Sequence, residues 1–225
     1  MSLWNTRDKA IQELDGLLKD EADVLCQAFS LLDDCIARLE NEHSSEPYSR
    51  VCALTLIKAR NLLLGSYSLS IDGLAQEAGA LLRPFIEAFE QMVYFNEDPK
   101  RIEEALDGRL PKAGEIAKRI QGQFKALREH LNQNASHFGL TYESTRHLID
   151  WKTLKFKLVQ PYSRTALRTN LKSIFTFLVF LNVQAVESLY NLRDNSVNEL
   201  AGRGEACKKK GFELLDTPTD DVTHM

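Results

Sequence analysis

The chain has 225 residues, 44% of them hydrophobic and 27% charged, a balance that is typical of a soluble globular protein and excludes wholesale disorder. Only 11 glycines and 6 prolines are present, too few for the many turns of an all-β fold. The formal net charge of −4 gives the molecule as a whole no attraction to nucleic acid or anionic lipid, so only a local basic patch could provide one.

The first half of the chain predicts two helices before the central one. An amphipathic pattern predicts a helix over residues 6–39, which Gly16 could interrupt, within a strongly acidic arm over residues 1–47. A second helix is predicted over residues 48–64. Gly65 and the serines that follow it are typical of one helix end and the next helix start.

The helix around which the chain is organised is predicted over about residues 69–96. Apolar residues recur there at i, i+3, i+4 and i+7, and small residues line the far side. Pro84 removes one backbone hydrogen bond and predicts a kink. A narrow polar stripe runs beside the apolar face and contains Asp72, Gln76, Arg83, Glu87, Glu90 and Tyr94.

The next predicted elements are shorter. Asp98-Pro99 is typical of a helix start and Gly108 of its end. A further helix is predicted over residues 111–134. Residues 142–162 form the least regular stretch, with a possible short strand at residues 154–159.

The C-terminal part predicts two more helices. Ser163 caps a long apolar helix, and Ser196-x-x-Glu199 is a capping box for a last helix to about Leu215. The whole pattern predicts an all-α bundle of about six to seven helices, in a single domain over residues 1–216. A disordered tail is expected over residues 217–225.

The composition also bears on compartment. Cys26, Cys35, Cys52 and Cys207 include no C-x-x-C pair, which favours reduced, buried thiols over a disulfide or a zinc site. The N-terminus lacks an apolar run suited to secretion. The most apolar stretch, residues 174–186, is shorter than the roughly 20 residues that span a bilayer. We therefore expect a cytoplasmic protein with no membrane partner.

Two polar stripes are the first candidate site. Arg83 and Glu87 are at i and i+4 on the central helix, and His130, Asn134 and His137 share a stripe at i, i+4 and i+7 on a later one. If the two helices pack, these groups could perform acid–base catalysis. They could equally form a buried polar network that fixes helix register, and the spacing favours this second interpretation.

A metal site on the same side chains is disfavoured. Glu87, His130 and His137 could supply three ligands, but H-x₆-H is not a spacing of known metal sites. Phosphate-binding glycine loops and the nucleophile elbow of hydrolases are also missing from the sequence. We therefore expect no cofactor.

The second candidate site is a basic segment after residue 143, in which aromatic residues are interleaved. Its cations could neutralise RNA phosphates while the aromatic rings stack on unpaired bases. Alternatively, and this is the interpretation we favour, they complement the acidic N-terminal arm within the chain or across a dimer. The candidate anion-binding residues are Lys152, Lys155, Lys157, Arg164 and Arg168.

Three short motifs carry a family resemblance: LLRPFIEA at residues 81–88, NEDP at 96–99 and NASH at 134–137. They resemble a family of bacterial all-helical proteins of unknown function with an R-x-x-x-E…H pattern, over roughly residues 54–140. That family is in turn similar to the HEPN superfamily of toxins, defence systems and RNA-processing proteins. The resemblance implies a dimeric helical bundle in a bacterial cytoplasm, linked to defence or stress.

The resemblance also marks residues. The positions that match the family pattern are Arg83, Glu87 and His137, whose role in the family is undetermined. HEPN ribonucleases use R-x₄₋₆-H, and the step from Arg128 to His137 is longer than that. The first hypothesis is therefore a bundle that acts through homodimerisation or binding of a protein partner. The alternative is a metal-independent ribonuclease that uses His137 with Arg83 or Arg128.

Overall fold

The computed structural model describes residues 4–133, 142–145, 147–150, 152–157 and 160–216. These ranges are mostly helical and contain only one short two-stranded hairpin, which confirms the predicted all-α class. The elements in chain order are α1 (Asn5–Asp15), α2 (Lys19–Glu42), α3 (Pro47–Ile71), α4 (Ala75–Glu97), a 3₁₀ turn (Pro99–Arg101), α5 (Ile102–Leu106), α6 (Ala113–Arg119), α7 (Lys125–Leu131), α8 (Tyr142–Thr145), β1 (Ile149–Asp150), β2 (Lys155–Phe156), α9 (Arg164–Asn191) and α10 (Val197–Asp216).

Four long helices make the core of the bundle. Helix α3 packs on α2 and α4, and α9 packs on α2, α3 and α4. Helix α10 lies against both α2 and α9, α1 lies against α2, and α6 and α7 cover α4. Buried apolar side chains from all of these helices form one continuous cluster. Helix α9 is therefore surrounded by four neighbours, which explains why its sequence is apolar on most sides.

The described residues contain nine α-helices of at least five residues, so the prediction of six to seven was too low. Two predicted helices are each broken once. The helix predicted over residues 6–39 breaks at Gly16. The helix predicted over residues 111–134 breaks at Gln121, whose φ is 51°. The amide of Gly122 donates to the Ala117 carbonyl at 2.8 Å, which closes the end of α6 as a Schellman motif. A non-glycine residue at the left-handed position concealed this break in the sequence.

The boundary between α3 and α4 also differs from the prediction. Helix α3 continues through Gly65 and ends at Ile71, because the left-handed residue is Gly73, with φ of 80°. The following serines do not cap a helix start: the Ser70 hydroxyl donates to the Ser66 carbonyl at 2.8 Å within α3. Gly65 instead provides space for helix packing, since a Cβ there would lie 2.9 Å from Leu81 Cδ1. The central helix therefore begins at residue 75, not 69.

Several predicted helix starts are confirmed. Asp98 accepts from the Lys100 amide at 3.1 Å, ahead of Pro99, and Ser163 accepts from the Ala166 amide at 3.2 Å. The predicted strand is present at β2, which pairs antiparallel with β1. The predicted tail, residues 217–225, lies outside the described residues.

The turn before α10 departs from the predicted capping box. The hydroxyl and amide of Ser196 both contact Asp194 Oδ1, and His43 Nε2 lies 2.8 Å from Asp194 Oδ2. Burial alone would raise the pKa of Asp194, but these hydrogen bonds more than offset it and lower the pKa to about 2. Asp194 therefore ties α10 to the end of α2 as an ionised group.

Burial on the long helices does not follow residue type alone. Leu54 and Ile57 of α3 are apolar but exposed, whereas Ser66 and Ser70 are buried. On α4, Glu90 was assigned to a polar stripe but is buried, because α6 and α7 cover that side of the helix. Sequence periodicity identified one apolar face and missed the second layer that packs on it.

A buried polar network joins α3, α4 and α9 around Asn96. Its Oδ1 accepts from the Tyr48 hydroxyl at 2.6 Å and from the Ser188 hydroxyl at 2.9 Å. Its Nδ2 donates to the backbone and side-chain oxygens of Gln184, both at 2.9 Å. Asn191 Nδ2 completes the network by donating to the Tyr48 hydroxyl and to the Asn96 carbonyl, both at 3.0 Å.

Helix α9 is long and apolar enough to pass a test for membrane-spanning helices based on length and composition alone. However, 56% of its most apolar window is buried inside the bundle. A core helix of a soluble protein passes the same test, and the neighbours of α9 are consistent with that interpretation.

Gly211 is a close-contact position between α10 and α9, and it provides a test of this packing. A Cβ there would lie 2.0 Å from Cζ of Phe175. We expect Gly211→Ala to lower the free energy of unfolding by about 1–3 kcal/mol, since the ring must move out of a packed site. Urea titration followed by circular dichroism measures this change.

Gly202 on the same helix is the matched control. No atom outside its local backbone lies within 4 Å of its Cβ position. Gly202→Ala should therefore stabilise the protein by up to about 1 kcal/mol through helix propensity alone. Equal effects of the two substitutions would contradict the proposed contact between α10 and α9.

Candidate functional site

The predicted pair on the central helix is formed. Arg83 Nη1 donates to Glu87 Oε1 one turn along α4, and Arg83 Nε donates to Asn132 Oδ1 at 2.9 Å, just after α7. The side chains of Arg83 and Glu87 are 26% and 35% exposed. The pair is therefore partly solvated, and its two groups are joined to each other and to the α7 end.

A second ion pair lies deeper at the same helix contact. Arg128 Nη1 on α7 donates to Glu90 Oε2 on α4 at 2.7 Å, and the two side chains are 14% and 1% exposed. Gly122 backs onto this carboxylate, since a Cβ there would lie 2.7 Å from Glu90 Oε1. The fully buried charge of the site is therefore Glu90, whereas the sequence had pointed to Glu87.

Burial raises the pKa of Glu90 above its usual value, and this outweighs the opposite effects of Arg128 and Arg83. The nearby Glu87 carboxylate raises it further. Within the described residues, Glu90 Oε1 has no hydrogen-bond partner. The fold thus keeps a carboxylate where its charge is costly, and Arg128 is the main group that compensates it.

The predicted histidine stripe is described only in part. His130 is exposed in the last turn of α7. Asn134 and His137 lie outside the described residues. The expectation that His137 approaches Arg83 and Glu87 therefore stays a prediction.

Three residues of this cluster were missed or misplaced by sequence reasoning: Glu90, Gly122 and Asn132. A signal was present in the spacing. Glu90 follows Arg83 by seven residues and Glu87 by three, which places all three on one side of α4. Asn132 follows Arg128 by four residues, so a second polar stripe faces the first.

The basic segment divides into two parts. Arg164 donates to both carboxylate oxygens of Glu13 at 2.8 Å, and Arg168 Nε donates to Glu21 at 3.1 Å. These two arginines thus complement the acidic N-terminal arm within one chain, as the favoured interpretation expected. The three lysines, at positions 152, 155 and 157, are exposed on the β1–β2 hairpin.

Two of the four cysteines, Cys35 and Cys52, are buried thiols. Burial raises the pKa of the Cys35 thiol to about 12 and that of Cys52 to about 11, so both stay protonated near neutrality. Cys26 is exposed, contrary to the expectation of a buried thiol. No group of three or more His, Cys, Asp or Glu side chains there could hold a metal ion.

The outward face of α9 exposes several large apolar side chains. Its exposed apolar side chains are Phe180, Val183 and Tyr190, which are 40%, 53% and 65% exposed, and the exposed Glu187 lies among them. The Phe180 ring belongs to an aromatic cluster. Its centroid lies 6.2 Å from the centroid of Phe89 and 6.2 Å from that of Phe124. This face therefore continues the core out to the surface.

Comparison with known proteins adds no relative: no protein-family model, no curated protein and no solved structure matches the chain. The resemblance to the HEPN superfamily accordingly stays a prediction.

The two ion pairs predict different responses to loss of their arginines. We expect Arg128→Ala to lower the free energy of unfolding by about 3–5 kcal/mol near neutral pH, because it leaves the buried Glu90 charge uncompensated. Arg83→Ala, the matched control, removes a partly solvated pair and should cost about 0–1 kcal/mol. Chemical denaturation of both variants measures the difference.

The Arg128→Ala penalty should also depend on pH. Without Arg128 the pKa of Glu90 rises further, so the folded state binds a proton that the unfolded state has already released. Protonation removes the buried charge, and the penalty should be smaller at roughly pH 5 than at roughly pH 8. A penalty that is the same at both pH values, or equal for the two arginines, would contradict this account.

Proposed function

We propose that the protein is a cytoplasmic helical bundle that acts by self-association through the outward face of α9. The observation that carries this proposal is the row of Phe180, Val183 and Tyr190, all large, apolar and at least 40% exposed on one helix. Four other long helices contact or flank α9 elsewhere around its circumference. Among the described residues, the side of α9 that carries this row and Glu187 is the side that the other helices leave exposed.

The position of these residues suits contact with a second copy. Residues 180, 183 and 190 share one side of a helix, and removal of such an apolar surface from water favours association against the cost of lost translational and rotational freedom. A two-fold axis between Phe180 and Val183 would cross two copies of α9 in antiparallel fashion. Glu187 would then face Thr176 of the second copy, so like charges do not meet.

The ion pairs support this proposal over the ribonuclease alternative. A ribonuclease cleft needs cationic groups that face the substrate. Arg83 and Arg128 instead donate to Glu87 and Glu90. Arg164 and Arg168 likewise donate to glutamates of the N-terminal arm. The carboxylates already occupy these four arginines.

Light scattering tests the proposal directly. At micromolar concentration the wild-type protein should show twice the mass of a single chain. Tyr190→Asp and Val183→Asp should each shift the mass towards one chain, because a carboxylate would be buried in an apolar contact. Both variants should keep their helical circular dichroism, since the native side chains are largely exposed.

Leu54→Asp is the matched control, because Leu54 is 67% exposed but lies on α3. It should leave the mass unchanged. A wild-type protein of single-chain mass would refute self-association. If Leu54→Asp dissociates the dimer and Tyr190→Asp does not, the interface lies on α3 and the proposed α9 interface is refuted.

A further inference from the structure

A groove between α2, α9 and α10 is independent of the ion-pair site. Its volume is about 220 Å³. Its walls are mainly apolar and include Leu31 of α2, Val179 and Val186 of α9, and Leu200 of α10. Small residues on α10, among them Gly204, leave the space open. The groove adjoins the outward face of α9 without being part of it, except that Val183 contributes to both.

One polar side chain interrupts this apolar lining. Asn182 is only 6% exposed, and its Nδ2 donates to the Ala28 carbonyl at 3.0 Å. A backbone carbonyl only accepts hydrogen bonds, so this contact identifies which end of the amide is nitrogen and which is oxygen. Both Asn182 and Ala28 line the groove.

The oxygen of the same amide is unsatisfied. Asn182 Oδ1 is buried and accepts no hydrogen bond from any described residue. A buried acceptor without a donor loses its hydrogen bond to water and gains none in return, so buried polar groups in folded proteins are nearly always paired. An asparagine held at one end and unpaired at the other, beside a groove, indicates a place for a donor from outside the chain.

We infer that this groove binds a small, uncharged, largely apolar molecule that carries one N–H or O–H donor. The ring or chain of the ligand packs against the valines and leucines, and its donor pairs with Asn182 Oδ1, which is buried in the unliganded chain, so the amide has to shift towards the groove on binding. The rim carries Glu187 and Glu205, and Lys208 Nζ lies 3.1 Å from Glu205, so the local charge disfavours an anionic ligand. Neutral ligands are therefore favoured over carboxylates and phosphates.

The volume limits the size of the ligand. A dry apolar cavity of about 150 Å³ accommodates benzene, so a groove of about 220 Å³ suits a molecule up to a fused two-ring system. Indole has this size, is neutral and carries one N–H donor. Its 1-methyl derivative has nearly the same shape but no donor, which makes the two compounds a matched pair of probes.

Isothermal titration of the wild-type protein with indole and with 1-methylindole tests the inference. Indole should bind at least tenfold more tightly than 1-methylindole, because only indole satisfies Asn182 Oδ1. Asn182→Leu should remove this preference by abolishing the acceptor. Equal affinities of the two probes for the wild-type protein, or no binding of indole at millimolar concentration, would overturn the inference.

A second substitution keeps the test valid if Asn182→Leu does not fold. A Cβ at Gly204 would lie 3.5 Å from Leu31 Cδ2, so alanine fits there but a larger side chain enters the groove. Gly204→Leu should reduce indole affinity at least tenfold. Gly202→Leu, on the open side of the same helix, should leave it unchanged. Undiminished binding by Gly204→Leu would place indole elsewhere and refute the groove.

This result does not depend on self-association. Tyr190 does not line the groove. Indole binding by Tyr190→Asp therefore reports on the groove whether or not that variant is a dimer. Loss of indole binding in Tyr190→Asp with retained helical content would show that the site needs the second copy, and would overturn the inference of a groove formed by one chain.

Discussion

The carboxamide of Asn96 sets the register of the helices on which the rest of the molecule depends. It receives hydrogen bonds from α3 and α9 and donates two back to α9 while its own backbone belongs to α4. Apolar side chains tolerate small slides past one another, but a buried amide loses whole hydrogen bonds when a helix shifts. Tyr48 and Ser188 are thereby held in one alignment. Burial also raises the pKa of the Tyr48 hydroxyl, which keeps it a neutral donor to Asn96.

This alignment determines which surface of α9 reaches solvent. Ser188 and Gln184 must face α4 to contact Asn96, and Asn182 faces α2, where it bonds to Ala28. Because one side of α9 thus faces α4 and another faces α2, the stripe that includes Phe180 and Val183 points away from the core. The outward face and the adjoining groove are therefore consequences of the polar network, although neither contains a residue that belongs to it.

Two helix starts were predictable from sequence because a capping side chain lies next to the amides it bonds. Asp98 and Ser163 cap helices through bonds to amides two or three residues away, and both were identified. Gly65 misled the prediction because glycine serves both helix ends and close packing, and only the position of Leu81 distinguishes the two. The burial of Glu90 was missed for a similar reason. Its neighbours on α4 are polar, and its burial depends on Arg128, which is 38 residues away. The sequence thus predicted the pairing of Arg83 with Glu87, but not the buried pairing of Glu90 with Arg128.

The distribution of charge explains why apolar surfaces carry the functional proposals. The sequence separates an acidic N-terminal arm from a basic segment, a pattern that could have indicated an exposed polyanion site. Folding places Glu13 against Arg164 and Glu21 against Arg168, so these charges stabilise the attachment of α1 and α2 to α9. The same occurs at α7, where Arg128 is committed to Glu90. Arginines that are paired with carboxylates offer an anion less net positive charge than unpaired ones, whereas the apolar side chains on the outward face of α9 gain from removal from water. This distribution of charge is why we propose recognition by apolar contact.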